Sequence, residues 1–101
     1  MRFGIYVEMQ APPGKSHYEL TWEIFQQIEH ADRAGFDVYS VIDHHFFPKF
    51  SISANPLALF AAAAQKTRRI RFRTALHTLP LENPQRLAGR IAEADILTHG
   101  R

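Results

Sequence analysis

The stretch DVYSVIDHHF, residues 37–46, is an apolar run that ends in an acid and two histidines. Its first seven residues are rich in β-branched and aromatic side chains, which is typical of a strand covered on both faces in a parallel sheet. Three ionisable side chains stand together at the end of this run. The stretch therefore predicts a buried parallel strand over 37–43 with polar residues at its carboxyl end.

Two further strands are predicted on either side of this one. RFGIYVEM, residues 2–9, is a β-rich run that stops at two prolines and a glycine. IRFRTALHTLP, residues 70–80, begins with alternating apolar and basic side chains, which is the period of a strand. The strand starts are separated by about 33 residues, the length of a β-loop-α-loop unit.

Three helices are predicted from their capping signals. Ser16 and Glu19 have the spacing of a capping box, and apolar residues then recur at helical intervals until Gly35. Two Asn-Pro pairs, at 55–56 and 83–84, each provide a capping side chain and a proline at the first helical position. The predicted helices cover residues 17–34, 56–67 and 84–98.

The order β-α-β-α-β-α fits two parallel architectures, because right-handed crossovers make the three strands parallel in both. A doubly wound sheet usually has a glycine-rich turn after its first strand, and MQAPPGKS (9–16) contains no such motif. A (β/α)₈ barrel needs no such turn and gathers its chemistry at the carboxyl ends of its strands. The ionisable residues at 43–45 lie at such an end.

Composition excludes several classes of protein. The chain has 101 residues, a net charge of +2 and no cysteine, so we expect a globular protein of a reducing compartment, with no disulfide or thiolate metal site. No apolar run is long enough to span a membrane, and a cytoplasmic location is expected. The basic cluster KTRRIRFR (66–73) has the period of a strand, so neither nucleic acid nor membrane is predicted as a partner.

Strand geometry limits what the Asp-His-His sequence can do. Successive side chains point to opposite faces, so His44 diverges from both Asp43 and His45, and the three residues do not form a metal site. His44 either acts as a general base or closes the strand end by bonding a carbonyl group. Asp43 is either an acid that orients a neighbouring histidine or a plain carboxylate at the strand end. His45 is expected to point away from whatever His44 faces. His77 and Thr78 occupy the same kind of position after the third strand.

Other candidates depend on position alone. The residues at the end of the first strand, Glu8, Met9 and Gln10, are weak candidates for the same edge. HAD at 30–32 falls within the first predicted helix and is interpreted as a solvated helix face. The aromatic residues of the loop after the second strand, which either wall an apolar pocket or fold down as a lid, are Phe46, Phe47 and Phe50.

The chain resembles the N-terminal part of the bacterial luciferase-like, flavin-dependent monooxygenase family. DHHF, residues 43–46, is similar to the E-H-H-F or D-H-H-F that follows the family's second strand. ANPLALFAAAAQKTRRIRFRTALHTLPLENPQRLAGRIAEADILTHGR, residues 54–101, follows the family's order of Asn-Pro, alanine-rich helix, T-x-R-I-R, L-P and a second proline-initiated helix. The resemblance implies one α/β domain over 1–101, formed by the N-terminal three β-α units of a TIM barrel, as a truncated or partial barrel.

The resemblance also implies a site and its ligands. His44 corresponds to the family's catalytic histidine, which acts beside the flavin during oxygen activation, and Asp43 corresponds to the neighbouring acid. Ala75, Leu76 and His77 are expected to contact the cofactor, and some members have a cis peptide bond where Ala75 and Leu76 stand here. Reduced FMN is the implied cofactor, with deazaflavin as the alternative. A small organic molecule is the implied substrate, a flavin reductase is a candidate partner, and no metal is expected.

Three residues depart from the family pattern, and the length departs further. Arg73 stands where Gly is common and must either find a partner or block space in the barrel, Gly89 replaces a Glu, and His99 replaces a small residue. Three strands leave open edges and uncovered apolar surface, so an isolated chain is expected to self-associate. The alternatives to a monooxygenase are a deazaflavin-dependent reductase, a metal-dependent hydrolase of the D-H-H type and a non-catalytic half-barrel.

Overall fold

The computed structural model describes residues 1–101 as three β-strands alternating with three α-helices, which confirms the predicted order. A short 3₁₀ helix, Leu79–Leu81, follows the third strand. No helix combines the length and the apolar character that crossing a membrane requires. The elements are β1 (Gly4–Val7), α1 (His17–Ala34), β2 (Val38–Ile42), α2 (Pro56–Ala64), β3 (Arg71–Leu76) and α3 (Pro84–Leu97).

The three strands form one parallel sheet in the order β1-β2-β3. Gly4 lies opposite Val38, and Val38 lies opposite Arg71, so the strands begin at the same level. All carboxyl ends therefore meet at one edge of the sheet, which we call the C-terminal edge. A barrel and one half of a doubly wound sheet share this local winding, so the sheet alone does not distinguish them.

The core lies between one face of the sheet and the helices. Side chains of α1 that recur every three or four residues meet alternate residues of β2, which is the contact expected of an amphipathic helix on a sheet. Phe60 of α2 stacks on Phe72 of β3, with ring centroids 5.1 Å apart. The buried cluster consists of Met9, Leu20, Ile24, Ile28, Ala31, Tyr39, Val41, Phe60, Ala63 and Ile70.

The helices begin where the capping signals predict. Ser16 and Glu19 form a complete capping box, and Gly35 ends α1 in the left-handed conformation with φ 94°. Asn55 accepts a hydrogen bond from the backbone N–H of Ala58, and Asn83 caps α3 in the same way. Local side-chain chemistry thus sets these boundaries.

Several elements are shorter than predicted. β3 ends at Leu76, opposite Ile42, the last residue of β2, and the ladder changes register just before this end: Val41 pairs with Thr74, but Ile42 pairs with Leu76. Ala75 is the extra residue of this bulge. The second helix, α2, ends at Ala64. Beyond it, the hydroxyl of Thr67 donates a hydrogen bond to the Ala63 carbonyl group. The observed ranges 4–7, 38–42, 56–64, 71–76 and 84–97 replace the predicted 2–9, 37–43, 56–67, 70–80 and 84–98.

Asp32 is a structural cap and not part of a solvated helix face, so the interpretation of HAD at 30–32 was wrong for this residue. Its carboxylate accepts hydrogen bonds from the backbone N–H groups of Arg68, Arg69 and Ile70 at 2.7 to 3.0 Å. Partial burial raises the pKa of Asp32, but these three donors outweigh it and hold the pKa below its ordinary value. The carboxylate therefore fixes the turn that leads into β3.

The second face of the sheet is exposed on its two outer strands, at Tyr6 and Arg73, whereas Ser40 of the central strand is buried. Tyr6, Ser40 and Arg73 lie side by side across the three strands. Arg73 finds a partner, as its unusual position requires, because its Nε donates to the Ser40 hydroxyl at 3.1 Å. Gly89 lies within α3, and His99 adopts a left-handed φ of 56° just after that helix.

Candidate functional site

The Asp-His-His residues lie at the C-terminal edge, immediately after β2 ends at Ile42. Asp43 is only 2% exposed, whereas the two histidines are partly exposed. His45 Nε2 lies 3.0 Å from Asp43 Oδ1, so these two side chains are on the same side of the chain. The strand has already ended at these residues, so the alternation that predicted the divergence of His44 from its neighbours does not apply to them, and that divergence stays a prediction.

His44 is held among aromatic rings. Its ring lies 4.8 Å from Phe50 and 6.2 Å from Phe47, measured between centroids. Its backbone N–H donates to the Ser53 carbonyl group at 2.8 Å, whereas the imidazole Nδ1 is buried and has no hydrogen-bond partner. The backbone closes the strand end, so the imidazole is left for another task.

Asp43 connects the ends of β2 and β3. Its Oδ2 accepts from the backbone N–H of Thr78 at 2.7 Å, and the Thr78 hydroxyl donates to the Asp43 carbonyl group at 3.2 Å. The Asp43 N–H donates to the Leu76 carbonyl group at 3.2 Å. The structure therefore brings Asp43 and Thr78 together, and both come from sequence-predicted positions.

His77 lies between two carboxylates. Its Nδ1 is 3.8 Å from Asp43 Oδ2, and its Nε2 is 3.7 Å from Glu82 Oε1. Nε2 is buried and lacks a hydrogen-bond partner. Glu82 also forms an ion pair with Arg90 of α3, and the Arg90 guanidinium, with a smaller contribution from His77, lowers the pKa of Glu82.

Sequence reasoning missed Glu82 and Arg90. Glu82 stands directly before the helix-capping Asn83, and no spacing rule connects it to residues 43 or 77. Its role depends on the 3₁₀ helix after β3, which turns the chain back toward the C-terminal edge. The one signal in the sequence that could have indicated Glu82 is its position shortly after the end of the third strand.

Ala75 and Leu76 lie at the bulge of β3. Ala75 has no partner on β2, and both side chains are exposed. The structure contains no cis peptide bond, so the bond between Ala75 and Leu76 is trans, contrary to what the resemblance implied. A bulge beside a strand end redirects side chains, which here leaves a small, an apolar and an imidazole residue at the edge.

The loop after β2 presents aromatic residues to solvent. Phe46 is fully exposed and has a φ of 56°, a conformation that costs a bulky residue about 1 to 2 kcal/mol. Phe47 is half exposed and lies beside the His44 ring, and Phe50 packs more closely against the same ring. Of the two roles considered, a lid over the barrel edge is not observed for Phe46.

The end of β1 contributes little to the site. Met9 belongs to the buried core, and Glu8 accepts hydrogen bonds from the side chains of Gln10 and Tyr6. No group of three or more His, Cys, Asp or Glu residues is arranged to hold a metal ion. The chemistry-bearing side chains of the edge are therefore those after β2 and β3.

Comparison with known families and sequences gives a consistent result. The family model described as luciferase-like monooxygenase matches residues 1–101. The oxygenase component of a flavin-dependent trigonelline monooxygenase from Acinetobacter baylyi is 32% identical over 102 aligned residues, which cover 100% of this chain and 28% of that protein.

Solved structures show the same relationship. A monooxygenase from Streptomyces bottropensis superposes with a TM-score of 0.92 and 33% identity, covering 100% of this chain and 31% of that one. The oxygenating constituent of 3,6-diketocamphane monooxygenase from Pseudomonas putida, a type II Baeyer-Villiger enzyme in complex with FMN, gives a TM-score of 0.92 at 28% identity. That match covers 99% of this chain and 27% of the enzyme. This chain therefore spans about a quarter to a third of the length of these proteins.

Proposed function

Because the chain belongs to the luciferase-like monooxygenase family, we propose that it forms the first part of a flavin-dependent monooxygenase. Such an enzyme uses reduced FMN and O₂ to oxidise a small organic substrate. The observation that carries this proposal is the family match over all 101 residues, which includes the Asp-His-His-Phe sequence at the end of β2. The completed protein would be a TIM barrel, of which these residues supply three β-α units.

The residues at the C-terminal edge fit a flavin. The bulge leaves Ala75 and Leu76 exposed, which gives a planar ring a small and an apolar surface to lie against. His44 Nδ1 and His77 Nε2 are buried without hydrogen-bond partners and can bond polar atoms of a bound ring. We assign Ala75, Leu76 and His77 to the cofactor. Reduced flavin would supply the electrons for oxygen activation.

His44 is the residue that we assign to proton handling. Its ring is positioned by Phe47 and Phe50, and its backbone N–H already bonds to Ser53. The free Nδ1 can accept or donate a proton at the edge where the ligands bind, a contribution of about 10²- to 10⁴-fold in rate. The resemblance implies that Asp43 is the neighbouring acid of the same site.

FMN is favoured over deazaflavin because the Pseudomonas putida enzyme contains FMN. The Acinetobacter baylyi relative is named an oxygenase component, which supports a separate flavin reductase as a partner of the whole protein. Titration of the protein with reduced FMN and with reduced deazaflavin decides between the two cofactors. Tighter binding of the deazaflavin would favour the reductase alternative.

One observation favours a second candidate, a half-barrel that pairs with another chain. On one face of the sheet, Tyr6 and Arg73 of the outer strands are exposed, whereas parallel sheets are usually covered on both faces. Sedimentation of the purified chain tests this candidate. Concentration-dependent association would support the half-barrel and the expected homo-oligomer, and a compact, stable monomer would contradict both.

A chimera tests the leading proposal directly. Residues 1–101 would replace the matching segment of the Pseudomonas putida enzyme, and FMN binding and product formation would be measured. We expect FMN binding, with product formation about 10²- to 10⁴-fold lower after His44→Ala. A folded chimera that binds no FMN, or that is indifferent to His44→Ala, would contradict the proposal.

A further inference from the structure

We propose that Asp43 is a positioning residue: its carboxylate fixes the turn after β3 and, through that turn, the segment 75–77. The inference rests on the proposed function, because that segment is assigned there to the cofactor. It gives Asp43 a role different from the acid that the resemblance implies. The carboxylate acts through its neighbours and does not touch the ligand.

Asp43, at the end of β2, both accepts hydrogen bonds from and donates a hydrogen bond to residues at the end of β3. Asp43 accepts from the Thr78 N–H through Oδ2 and from the Thr78 hydroxyl through its backbone carbonyl group. Its own N–H donates to the Leu76 carbonyl group. Three bonds therefore tie one residue to the end of β3.

These bonds lie beyond the point where the regular ladder fails. The register between β2 and β3 changes after Val41, and Ala75 is left without a partner. A bulge loosens local pairing and allows the strand end to bend. Asp43 restores a fixed connection just past the bulge, so the position of Ala75 and Leu76 depends on it.

The carboxylate has no free side for a ligand. Asp43 is 2% exposed, Oδ2 is 2.7 Å from the Thr78 nitrogen, and Oδ1 is 3.0 Å from His45 Nε2. His77 lies on the other flank, 3.8 Å from Oδ2. Both oxygens are thus engaged inside the protein, which is the arrangement of a residue that orients others.

Amide hydrogen exchange of the 101-residue chain, followed by NMR, tests the inference. Asp43→Ala should increase exchange at the Thr78 amide about tenfold or more relative to the global rate, and should shift the signals of 75–77, because a charged hydrogen bond is lost. Asp43→Asn keeps an oxygen acceptor and should restore most of this protection. If Asp43→Ala does not fold, Asp43→Leu, which keeps the size of the side chain but has no acceptor, takes its place: an exposed Thr78 amide supports the inference, and a protected one contradicts it.

Asp37→Ala is the matched control. Asp37 also accepts one backbone hydrogen bond, from Phe3 at 2.8 Å, but at the opposite end of the sheet. Its loss should leave Thr78 exchange and the signals of 75–77 unchanged after correction for global stability. Equal effects of the two variants at Thr78 would mean that Asp43 has no local role.

FMN titration of the same variants separates positioning from direct contact. We expect Asp43→Ala to weaken FMN binding and Asp43→Asn to bind like the wild-type chain. Loss of binding in Asp43→Asn with a protected Thr78 amide would overturn the inference in favour of direct contact. A wild-type chain that binds no FMN would count against the proposed cofactor site, and the exchange measurement would then decide the role of Asp43 alone.

Discussion

The two edges of the sheet each contain an aspartate that receives backbone N–H groups, but the edges differ in what they leave unpaired. Near the amino ends of the strands, Asp32 accepts from three backbone N–H groups. At the C-terminal edge, Asp43 accepts from one and lies beside two imidazoles. The two buried side-chain polar atoms without a partner, on His44 and His77, both lie at this second edge.

This difference separates stability from function. Buried polar groups are normally paired, because an unpaired one costs about 1 to 3 kcal/mol. The amino-terminal edge follows that rule, and the C-terminal edge departs from it at the place where barrel enzymes bind their ligands. We therefore expect substitutions at the first edge to change the free energy of unfolding and substitutions at the second to change ligand binding and turnover.

Asp32→Ala is expected to have the largest effect on stability. Three N–H groups before β3 would lose a charged acceptor, and the free energy of unfolding should fall by about 3 kcal/mol. Urea unfolding followed by circular dichroism measures the change. Asp37→Ala, which removes one such bond, is the control, and a larger loss in Asp37→Ala would refute the role given to Asp32.

The contribution of the Asp32 carboxylate to stability should also depend on pH. Because the pKa of Asp32 is lower in the folded chain than its ordinary value of 3.8, its contribution is fully present above that value. It is lost as the pH falls from about 4 through the folded pKa, where protonation removes the charge. Asp32→Asn should therefore flatten the fall of the urea midpoint in this pH window. An unchanged slope would show that other groups control the acid transition.

The boundaries that sequence predicts well depend on local chemistry. Helix α1 occupies 17–34 as predicted, because Ser16, Glu19 and Gly35 carry the signals for both of its ends. The Asn-Pro pairs at 55–56 and 83–84 likewise mark the starts of α2 and α3. These interactions involve residues at most a few positions apart.

The features that sequence does not predict join distant residues. Asp32 bonds to residues 36 to 38 positions later, and Asp43 bonds to Thr78, which is 35 positions later. The bulge at Ala75 depends on how β2 and β3 pair, and neither strand alone shows it. For this reason, the helical position of Asp32 predicted a solvated face. The third strand was predicted over 70–80, which is longer than the observed Arg71–Leu76.

Phe46→Gly, at the C-terminal edge, should slightly raise the free energy of unfolding, whereas Asp32→Ala at the other edge lowers it. Phe46 has a left-handed φ and is fully exposed, so the ring contributes little packing while the backbone is strained. Glycine removes that strain at an entropic cost, which leaves a net gain of about 0.5 kcal/mol. Thermal unfolding measures the change. Phe47→Gly, at a residue without positive φ, should be destabilising, and an equal gain there would contradict this explanation.

The most direct test compares Asp32→Ala with His44→Ala, with the free energy of unfolding measured on the chain and product formation measured on the chimera. Asp32→Ala should lower the free energy of unfolding by about 3 kcal/mol and leave turnover per folded molecule unchanged. His44→Ala should lower turnover about 10²- to 10⁴-fold while the free energy of unfolding changes by less than about 1 kcal/mol. The reverse pattern, with His44→Ala destabilising and catalytically silent, would contradict the division between a stabilising edge and a functional one.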